Sequence, residues 1–589
     1  MTQNTIPPKT NQLNPNGKQT IRLWQDIFFF LIILGVSLKL TANLTHIVDF
    51  MFADESYYMA TASHFHFSLL FRDGGIYFLW LRLLIALTPN MVIAYCLNYA
   101  ILISINPLLL YIILRKLQKS PFTSAFLSIF FQVSILNVVT WPFVTRFSTA
   151  IILLIFILIL SLKSSMSRYY AALTGIFLLV YTRPEYALSL VLFSILSIFY
   201  FVRKIFKEPT GWKKCVIAFI ITLGFLVFVF FVKNPAVGGR SMFAFGQHFG
   251  ANMQKIEGNK HADYWNDWRE LLKEKFHTDK SFFIALKNNP KAVFNHISMN
   301  IKEFPKPFYY QLFPFFSQNY GPTPKQVLRV FIILFFLVPI IAFLIALLRH
   351  MRKKNSSQAP FFSEMDRFFY FVIFILLIPV LVGLFVIYPR THYMISFLGI
   401  LFPVFAKNLP SFLDKKIPVV DTALKVILIL SLLFWIPWRP GGGHLLPLES
   451  KVPCTYMDRV QFLKHLPIKS DVRMLTMMLR LKFSYPYLQM YIEDQSSHSF
   501  EVVQPEKNVS PQQFLMGNKI NMIYVDANLL SHPQFGELFV TGNEPAQEFE
   551  NMTHTHWIRI SIPGCNEYLL ANSSVVSESN MVSPSEKPK

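Results

Sequence analysis

Long apolar runs separated by short polar connections dominate the chain as far as residue 437. A helix needs about 20 apolar residues to cross a bilayer, and somewhat fewer where it is packed inside protein. By this criterion the sequence predicts an α-helical polytopic membrane protein with about eleven transmembrane helices. The runs lie near residues 27–48, 90–114, 121–141, 147–163, 169–183, 185–202, 214–232, 326–348, 367–388, 392–406 and 418–437.

Lysine and arginine are concentrated in alternate connections between these runs. Short loops rich in these residues stay in the cytoplasm, so the pattern predicts a topology. The basic connections contain Lys9/Lys18/Arg22, Arg115/Lys116/Lys119, Lys163/Arg168, Arg203/Lys204/Lys207/Lys213/Lys214, Arg349/Arg352/Lys353/Lys354 and Lys407/Lys415/Lys416. Residues 1–26 are therefore predicted to be a cytoplasmic tail before a retained signal anchor. With an odd number of spans, the residues after 438 would lie in the periplasm or outside the cell.

The predicted transmembrane domain, residues 27–437, contains two outer connections that are longer than turns. They cover residues 49–89 and 233–325. Residues 75–87, with the sequence GIYFLWLRLLIAL, are apolar but too short to span alone, so we expect them to lie along the membrane interface.

The C-terminal part has a different pattern. Residues 438–575 alternate short β-type runs (NMIYVD, HWIRISI, EYLLA) with helical stretches, which predicts a small extracytoplasmic α/β domain. Residues 576–589 are rich in Ser, Glu and Pro and predict a disordered tail. Cys454 and Cys565 lie in this part and could pair if it is in an oxidising compartment.

Composition excludes the other broad classes. Of the 589 residues, 53% are hydrophobic and only 15% are charged, whereas a soluble chain has about a quarter of its residues charged. A disordered chain would lack the 61 Phe. The net charge of +22 would suggest a nucleic-acid partner in a soluble protein. Here the topology accounts for the excess, so no nucleic-acid partner is expected.

Ionisable and aromatic residues near Pro or Gly recur at the outer ends of the predicted helices. An ion near the membrane costs a few kcal/mol unless it is paired or wet, so we expect these residues to line a cavity that is open to the outer face. The candidates for substrate binding or catalysis are Asp54, Glu55, Tyr57, Tyr58, Arg72, Asp73, Arg146, Arg183, Glu185, Arg390, His392 and Tyr393.

Each motif also has a simpler interpretation. In a helix, Asp54 shares a face with Tyr57 and Tyr58 while Glu55 points elsewhere, but acidic residues are common at helix N-termini. Arg183 and Glu185 flank Pro184 and could form a local ion pair at a turn. Arg390 could bind a phosphate or carboxylate with its planar fork, or it and its neighbours could anchor the helix at the interface.

Metal and nucleotide sites are not indicated. His64 and His66 are two residues apart, which on a helix separates them by about 200 degrees, and no Cys or acidic residue stands at ligand spacing. The Gly pairs lack the Lys-Ser/Thr that would make a phosphate loop.

The order of these motifs resembles a known family. An anchor helix is followed by Asp54-Glu55-x-x-Tyr58, an Arg183-Pro-Glu185 turn, a late Pro-Arg390-x-x-Tyr393 and an outer C-terminal domain. This plan is similar to that of the multi-spanning glycosyltransferases of the C fold class (GT-C), which include the protein O-mannosyltransferases and the lipid A aminoarabinose transferases.

The resemblance implies a substrate class and roles. The donor would be a sugar on a polyprenyl phosphate, used as a substrate, with no cofactor besides and with metal dependence left open. Asp54, beside Glu55, would act as base on the acceptor, and Arg390, helped by Arg183 or Arg146, would bind the lipid phosphate. Direct displacement would invert the anomeric carbon.

The acceptor stays open among lipid, polysaccharide and protein. Where the aminoarabinose transferases have a Lys-Pro-Pro run after the first loop, this chain has Arg72-Asp73-Gly74-Gly75. That departure argues against lipid A as acceptor and aminoarabinose as sugar.

Two other functions use the same outer charges. A transporter or flippase of a lipid-linked glycan would line a translocation path with them, but it should also carry polar residues near the membrane midplane. A glycan polymerase or ligase would share the lipid donor without needing the Asp-Glu pair or the C-terminal domain.

Overall fold

Helices make up most of the described part of the chain. The computed structural model describes residues 15–41, 53–88, 91–138, 143–207, 212–235, 240–257, 267–305, 364–408, 466–477, 500–503, 509–532 and 545–576, together with a few single residues between these ranges. The predicted spans at 326–348 and 418–437, the tail at 576–589 beyond Val576, and Cys454 lie outside the described residues.

The α-helices are numbered here in chain order. They are α1 (Pro15–Thr41), α2 (Ala53–Ser63), α3 (Gly75–Leu87), α4 (Met91–Lys116), α5 (Pro121–Val133), α6 (Ile135–Val138), α7 (Val144–Ser161), α8 (Ser165–Thr182), α9 (Ala187–Lys207), α10 (Trp212–Val227), α11 (Arg240–Glu257), α12 (Trp268–Phe276), α13 (Phe282–Asn288), α14 (Pro290–Glu303), α15 (Glu364–Val382), α16 (Thr391–Asn408), α17 (Pro511–Gly517), α18 (Ala527–Leu530) and α19 (Pro545–Thr553).

Short helices of other types adjoin them. Phe67–Phe71 and Pro184–Tyr186 are 3₁₀ turns. Phe228–Val232 and Gly383–Ile387 are π-helical turns that follow α10 and α15.

Six described helical segments are long and apolar enough to cross a membrane. They are Leu23–Thr41, Ile93–Lys116, Val144–Ser161, Pro184–Arg203, Trp212–Val232 and Met365–Ile387. Gly75–Leu87, Pro121–Val133 and His392–Lys407 are apolar but shorter. The prediction of a helical membrane protein is confirmed in this coarse form. The count of eleven spans stays a prediction.

The chain forms two units. The first contains residues 1–44, 68–76 and 99–443, and the second contains residues 45–67, 77–98 and 444–589.

Close helix packing forms the core of the first unit. Buried residues of α7, α8, α15 and α16 belong to one apolar cluster. Gly175 of α8 meets α7, where a Cβ on the glycine would lie 2.3 Å from Cγ1 of Ile155. At the facing surface of α7 and α16, the hydroxyls of Thr149 and Ser396 lie 2.9 Å apart.

Ion pairs in the first unit join helix ends that the distribution of Lys and Arg predicts to be on the cytoplasmic side. Arg115 of α4 contacts Asp26 of α1 through Nε at 2.5 Å, and the Tyr111 hydroxyl donates to the same carboxylate at 2.6 Å. Lys407 of α16 pairs with Asp366 of α15. Arg115 and Lys407 belong to connections that the sequence predicts to be cytoplasmic, and each partner lies at the end of the adjoining predicted span on that side.

The second unit contains the predicted sheet. Its strands are β1 (Val472–Leu475), β2 (Phe500–Val503), β3 (Met522–Val525), β4 (Trp557–Ser561) and β5 (Tyr568–Asn572), in the order β2-β1-β3-β5-β4. The pairs of β1 with β2 and β3 are parallel, whereas β5 is antiparallel to β3 and β4. The three β-type runs in the sequence are therefore β3, β4 and β5. Cys565, just before β5, is disulfide-bonded, whereas Cys96 and Cys215 are free.

The contact at Gly175 predicts a measurable loss of stability. In Gly175→Ala the new methyl group must displace Ile155, which should lower the free energy of unfolding by about 1–3 kcal/mol. Gly224 of α10 is the matched control, because no heavy atom lies within 4 Å of the position of its Cβ. Thermal unfolding in detergent should show a lower midpoint for Gly175→Ala alone. Equal midpoints for both variants would contradict this packing.

Candidate functional site

Asp54 and Glu55, at the start of α2, have opposite environments. The Asp54 side chain is exposed, whereas Glu55 has no exposed surface. The Tyr77 hydroxyl of α3 donates to Glu55 Oε2 at 3.4 Å. A buried carboxylate is costly without hydrogen bonds, so this contact helps to hold Glu55 inside the second unit.

The contact of Tyr77 continues into a buried chain of hydrogen bonds. Asn98 Nδ2 donates to the Tyr77 hydroxyl at 2.8 Å, and the indole of Trp80 donates to Asn98 Oδ1 at 2.8 Å. Burial, reinforced by the Glu55 carboxylate, raises the pKa of Tyr77 well above its usual value. Tyr77 therefore stays a neutral donor. Its hydrogen bond to Glu55, the residue after the exposed Asp54, connects α3 with α2.

The tyrosines that follow Asp54 also differ. Tyr57 is 48% exposed, whereas Tyr58 is buried with its ring 5.4 Å from that of Tyr77. Tyr57 alone of this pair is available to a ligand at the surface of the second unit.

Arg72 and Asp73 belong to the first unit, in the turn before α3. Arg72 is exposed and Asp73 is half-buried. Gly74 has a φ of 80°, and a Cβ on Gly75 would lie 2.1 Å from the Leu70 carbonyl oxygen. The Gly pair is thus required by the turn itself.

Arg183 links three helices of the first unit. Its Nε lies 2.5 Å from Glu185 Oε1, and its Nη1 donates to the Thr145 hydroxyl of α7 at 2.5 Å. The guanidinium carbon is 4.9 Å from the ring centre of Tyr393 in α16. The local ion pair considered from the sequence is present, and it also holds the arginine against two other helices.

Arg146 lies next to Thr145 and is buried among aromatic rings. Arg146 is only 3% exposed. Its guanidinium carbon lies 5.3 Å from the centre of the Phe143 ring and 5.6 Å from that of Tyr99. Such cation–π contacts stabilise a cation that has lost water. We call Arg146, Arg183, Glu185 and Tyr393 the arginine cluster.

Arg390 and His392 are in the turn before α16 and in its first residues. The Arg390 amide donates to the Tyr388 carbonyl at 2.8 Å, and the Tyr393 amide donates to the Arg390 carbonyl at 3.0 Å. The His392 ring lies 4.3 Å from the Tyr393 ring. The backbone of this turn therefore connects Arg390 with the arginine cluster, and both side chains at 390 and 392 are half-buried.

A second polar group, which the sequence analysis missed, ties α14 to the end of α15. His296 Nε2 donates to the carbonyls of Val386 at 3.1 Å and Ile387 at 3.2 Å, and Asn300 Nδ2 donates to the Phe385 carbonyl at 2.9 Å. Asn252 of α11 donates to His296 Nδ1 at 2.9 Å. These side chains satisfy carbonyls that a helix end leaves without an intrahelical partner.

The same group reaches the neighbourhood of Arg390. His248 is stacked on Tyr388 with ring centres 5.0 Å apart and an angle of 6°. Lys255 Nζ bridges Glu303 at 2.9 Å and the Tyr388 hydroxyl at 3.2 Å. The available sequence signal was the spacing of four residues in His248/Asn252 and His296/Asn300, which puts each pair on one helix face.

Both histidines are neutral at ordinary pH. Burial lowers the pKa of His248 to about 3, and the charge of Arg390, together with that of His296 once it is protonated in acid, adds to this effect. Burial also lowers the pKa of His296 to about 4, despite its backbone hydrogen bonds.

An apolar groove of about 440 Å³ opens on the first unit. Its lining comes from the 3₁₀ turn before α3, from α8 and from the α10 region, and consists of Phe71, Phe177, Ile221, Gly224, Phe225 and Phe228. Tyr181 of α8 lies beside it, with its ring 5.4 Å from that of Phe71. Arg183 follows Tyr181 after one residue, so the groove and Arg183 both adjoin the C-terminal end of α8.

Comparisons with known proteins leave the family open. A scan against protein-family models and a search of curated proteins both found no match to this chain. Among the residues that the structure describes, no group of three or more His, Cys, Asp or Glu side chains is placed to bind a metal ion.

The burial of His296 predicts a pH dependence of stability. Its folded pKa lies below its unfolded value, so the unfolded chain binds the proton first. The free energy of unfolding should then fall as the pH drops from 6.5 to about 4, by up to about 1.4 kcal/mol per pH unit. In His296→Gln the slope should be smaller, and His277→Asn, a substitution at an exposed position, is the matched control. Thermal unfolding across this pH range measures both, and identical slopes in all three proteins would refute the prediction.

Proposed function

We propose that the protein is a membrane glycosyltransferase of the GT-C type. It would transfer a sugar from a polyprenyl phosphate to a lipid, polysaccharide or protein acceptor on the extracytoplasmic side. The observation that carries the proposal is the apolar groove beside α8, the helix whose C-terminal end carries Arg183. A groove for a hydrocarbon chain on a helix that ends at a guanidinium group fits a lipid phosphate better than it fits a soluble substrate.

In this proposal the first unit binds the donor. From Phe177 in the groove to Arg183 is six residues, or about 9 Å along a helix. A prenyl chain in the groove would present its phosphate near Arg183, which Glu185 and Thr145 hold in orientation. Negative charge grows on the phosphate as it leaves, and Arg183, with Arg146 and Arg390, would stabilise it.

In this proposal Asp54 activates the acceptor. Its carboxylate is exposed and can accept the proton of an attacking hydroxyl or amine. Glu55 is buried and hydrogen-bonded, so it would position α2 rather than react. Attack on the side opposite the departing phosphate would invert the anomeric carbon. Tyr57 would contact the acceptor.

Two observations support the proposed topology. The ion pairs of Arg115 and Lys407 join helix ends that the charge rule assigns to the cytoplasm. The disulfide at Cys565 favours an oxidising compartment for the C-terminal part. Together they support a cytoplasmic N-terminus and an extracytoplasmic C-terminal domain.

Loss of the Asp54 carboxylate tests the proposed base. Asp54→Asn keeps the size of the side chain and removes its basicity, so we expect near-total loss of sugar transfer in membranes supplied with a polyprenyl-phosphate sugar. Glu274→Gln, an exposed carboxylate of α12, is the control and should transfer normally. Transfer at the normal rate by Asp54→Asn at normal expression would remove Asp54 from the mechanism.

Filling the groove tests the donor assignment. The space around Gly224 is open, so the ring in Gly224→Phe should enter the groove and compete with the prenyl chain. The KM for a long-chain donor should rise several-fold, while that for a short-chain donor analogue stays constant. Gly224→Ala is the control. An unchanged KM for both donors in a folded Gly224→Phe protein would mean that the prenyl chain binds elsewhere.

A further inference from the structure

Helices α13 and α14 carry large apolar side chains on their exposed faces, whereas the exposed face of a helix in a soluble domain usually carries charged ones. Phe283 is 81% exposed and Phe294 is 62% exposed, and Ile284 and Ile301 are exposed as well. Phe294 and Ile301 are seven residues apart, which places them on one face of α14. We call these four residues the apolar stripe.

The charged residues inside the segment that carries the apolar stripe are all of one sign. Between residues 280 and 302 the chain has four lysines and no Asp, Glu or Arg. These lysines are Lys280, Lys287, Lys291 and Lys302, and all are exposed. The histidine in this stretch, His296, is buried and neutral. The surface thus combines aromatic side chains with positive charge, and the adjoining acidic residues, Asp279 and Glu303, are half-buried and paired with Lys273 and Lys255.

The contacts of α14 fix this surface at a membrane boundary. The opposite side of α14 carries His296 and Asn300, which donate to carbonyls of Phe385, Val386 and Ile387. Those carbonyls end the apolar segment Met365–Ile387, which is long enough to cross the membrane. Helix α14 is therefore attached at the level where the hydrocarbon core gives way to headgroups.

Both helices are well formed at their start. The Asn289 side chain accepts from the Ala292 amide and Pro290 occupies the first position of α14, while the Ser281 side chain accepts from the Ile284 amide of α13. The apolar stripe is thus displayed on ordered helices.

The neighbouring helix α12 provides the contrast. Its exposed side chains include Arg269, Glu270, Lys273 and Glu274, which are of both signs. Its apolar residues Leu271, Leu272 and Phe276 are buried. This is the ordinary pattern of a helix whose outer face meets water.

We propose that α13 and α14 form a membrane-docking surface that inserts the apolar stripe among anionic phospholipid headgroups. Helices with exposed aromatic residues and flanking lysines bind in this way, because the rings enter the acyl boundary while the ammonium groups pair with headgroup phosphates. The lysine stems can lie along the apolar surface and keep their charge in the headgroup layer. The proposal goes beyond the proposed reaction and does not depend on it.

The test compares one position in the stripe with one on α12. In a Cys96→Ala, Cys215→Ala background, Phe294→Cys and the control Glu274→Cys are labelled with an environment-sensitive fluorophore. The full chain is placed in vesicles of phosphatidylcholine with phosphatidylglycerol. We expect a lipid-borne quencher to act several-fold more strongly at 294 than at 274, and aqueous iodide to act in the reverse order.

Two further comparisons show what covers the apolar stripe. Vesicles of phosphatidylcholine alone, or the variant Lys287→Gln/Lys291→Gln, should lower the ratio of lipid to iodide quenching at 294 severalfold. If this ratio does not change, anionic lipid is not the partner. If iodide quenches 294 as strongly as 274, the surface faces water. If neither quencher reaches 294, a protein covers it. Each of these three results overturns the proposal.

Discussion

The bilayer's intolerance of unpaired polar groups organises the described structure. Several charged side chains at the ends of apolar helices are held by partners: Asp26 by Arg115 and Tyr111, Asp366 by Lys407, and Arg183 by Glu185 and Thr145. The backbone obeys the same constraint, because His296 and Asn300 satisfy the carbonyls at the π-helical end of Met365–Ile387. These pairings join helix ends, and those of Arg183 belong to the arginine cluster.

The candidate residues lie in two different environments. In the first unit, Arg183 and Arg146 are held by an ion pair, a hydroxyl and aromatic rings, and α8, which ends at Arg183, also borders an apolar groove. In the second unit, Asp54 is exposed while Glu55 is buried on Tyr77. These adjacent carboxylates differ in solvation, since the exposed one meets water and the buried one meets the Tyr77 hydroxyl.

The sequence predicts the coarse architecture well because apolar runs and charged loops are local signals. The runs near 147–163 and 367–388 appear as Val144–Ser161 and Met365–Ile387, and three β-type runs are strands. The prediction of one helix near 121–141 was less accurate, because the first helix there ends at Val133 and a second begins at Ile135. Burial of Glu55 and the contact of His296 with Val386, ninety residues away, depend on tertiary packing, which no local pattern reports.

The central claim is that the groove and the arginine cluster serve sugar transfer from a lipid phosphate. The most direct measurement uses purified protein in vesicles, with a donor labelled separately in its sugar and in its lipid phosphate. The account predicts that the sugar label moves to the acceptor with inverted anomeric configuration, leaving labelled polyprenyl phosphate in the membrane. Recovery of the intact donor on the opposite leaflet, with no separation of the two labels, would contradict it and indicate a transporter.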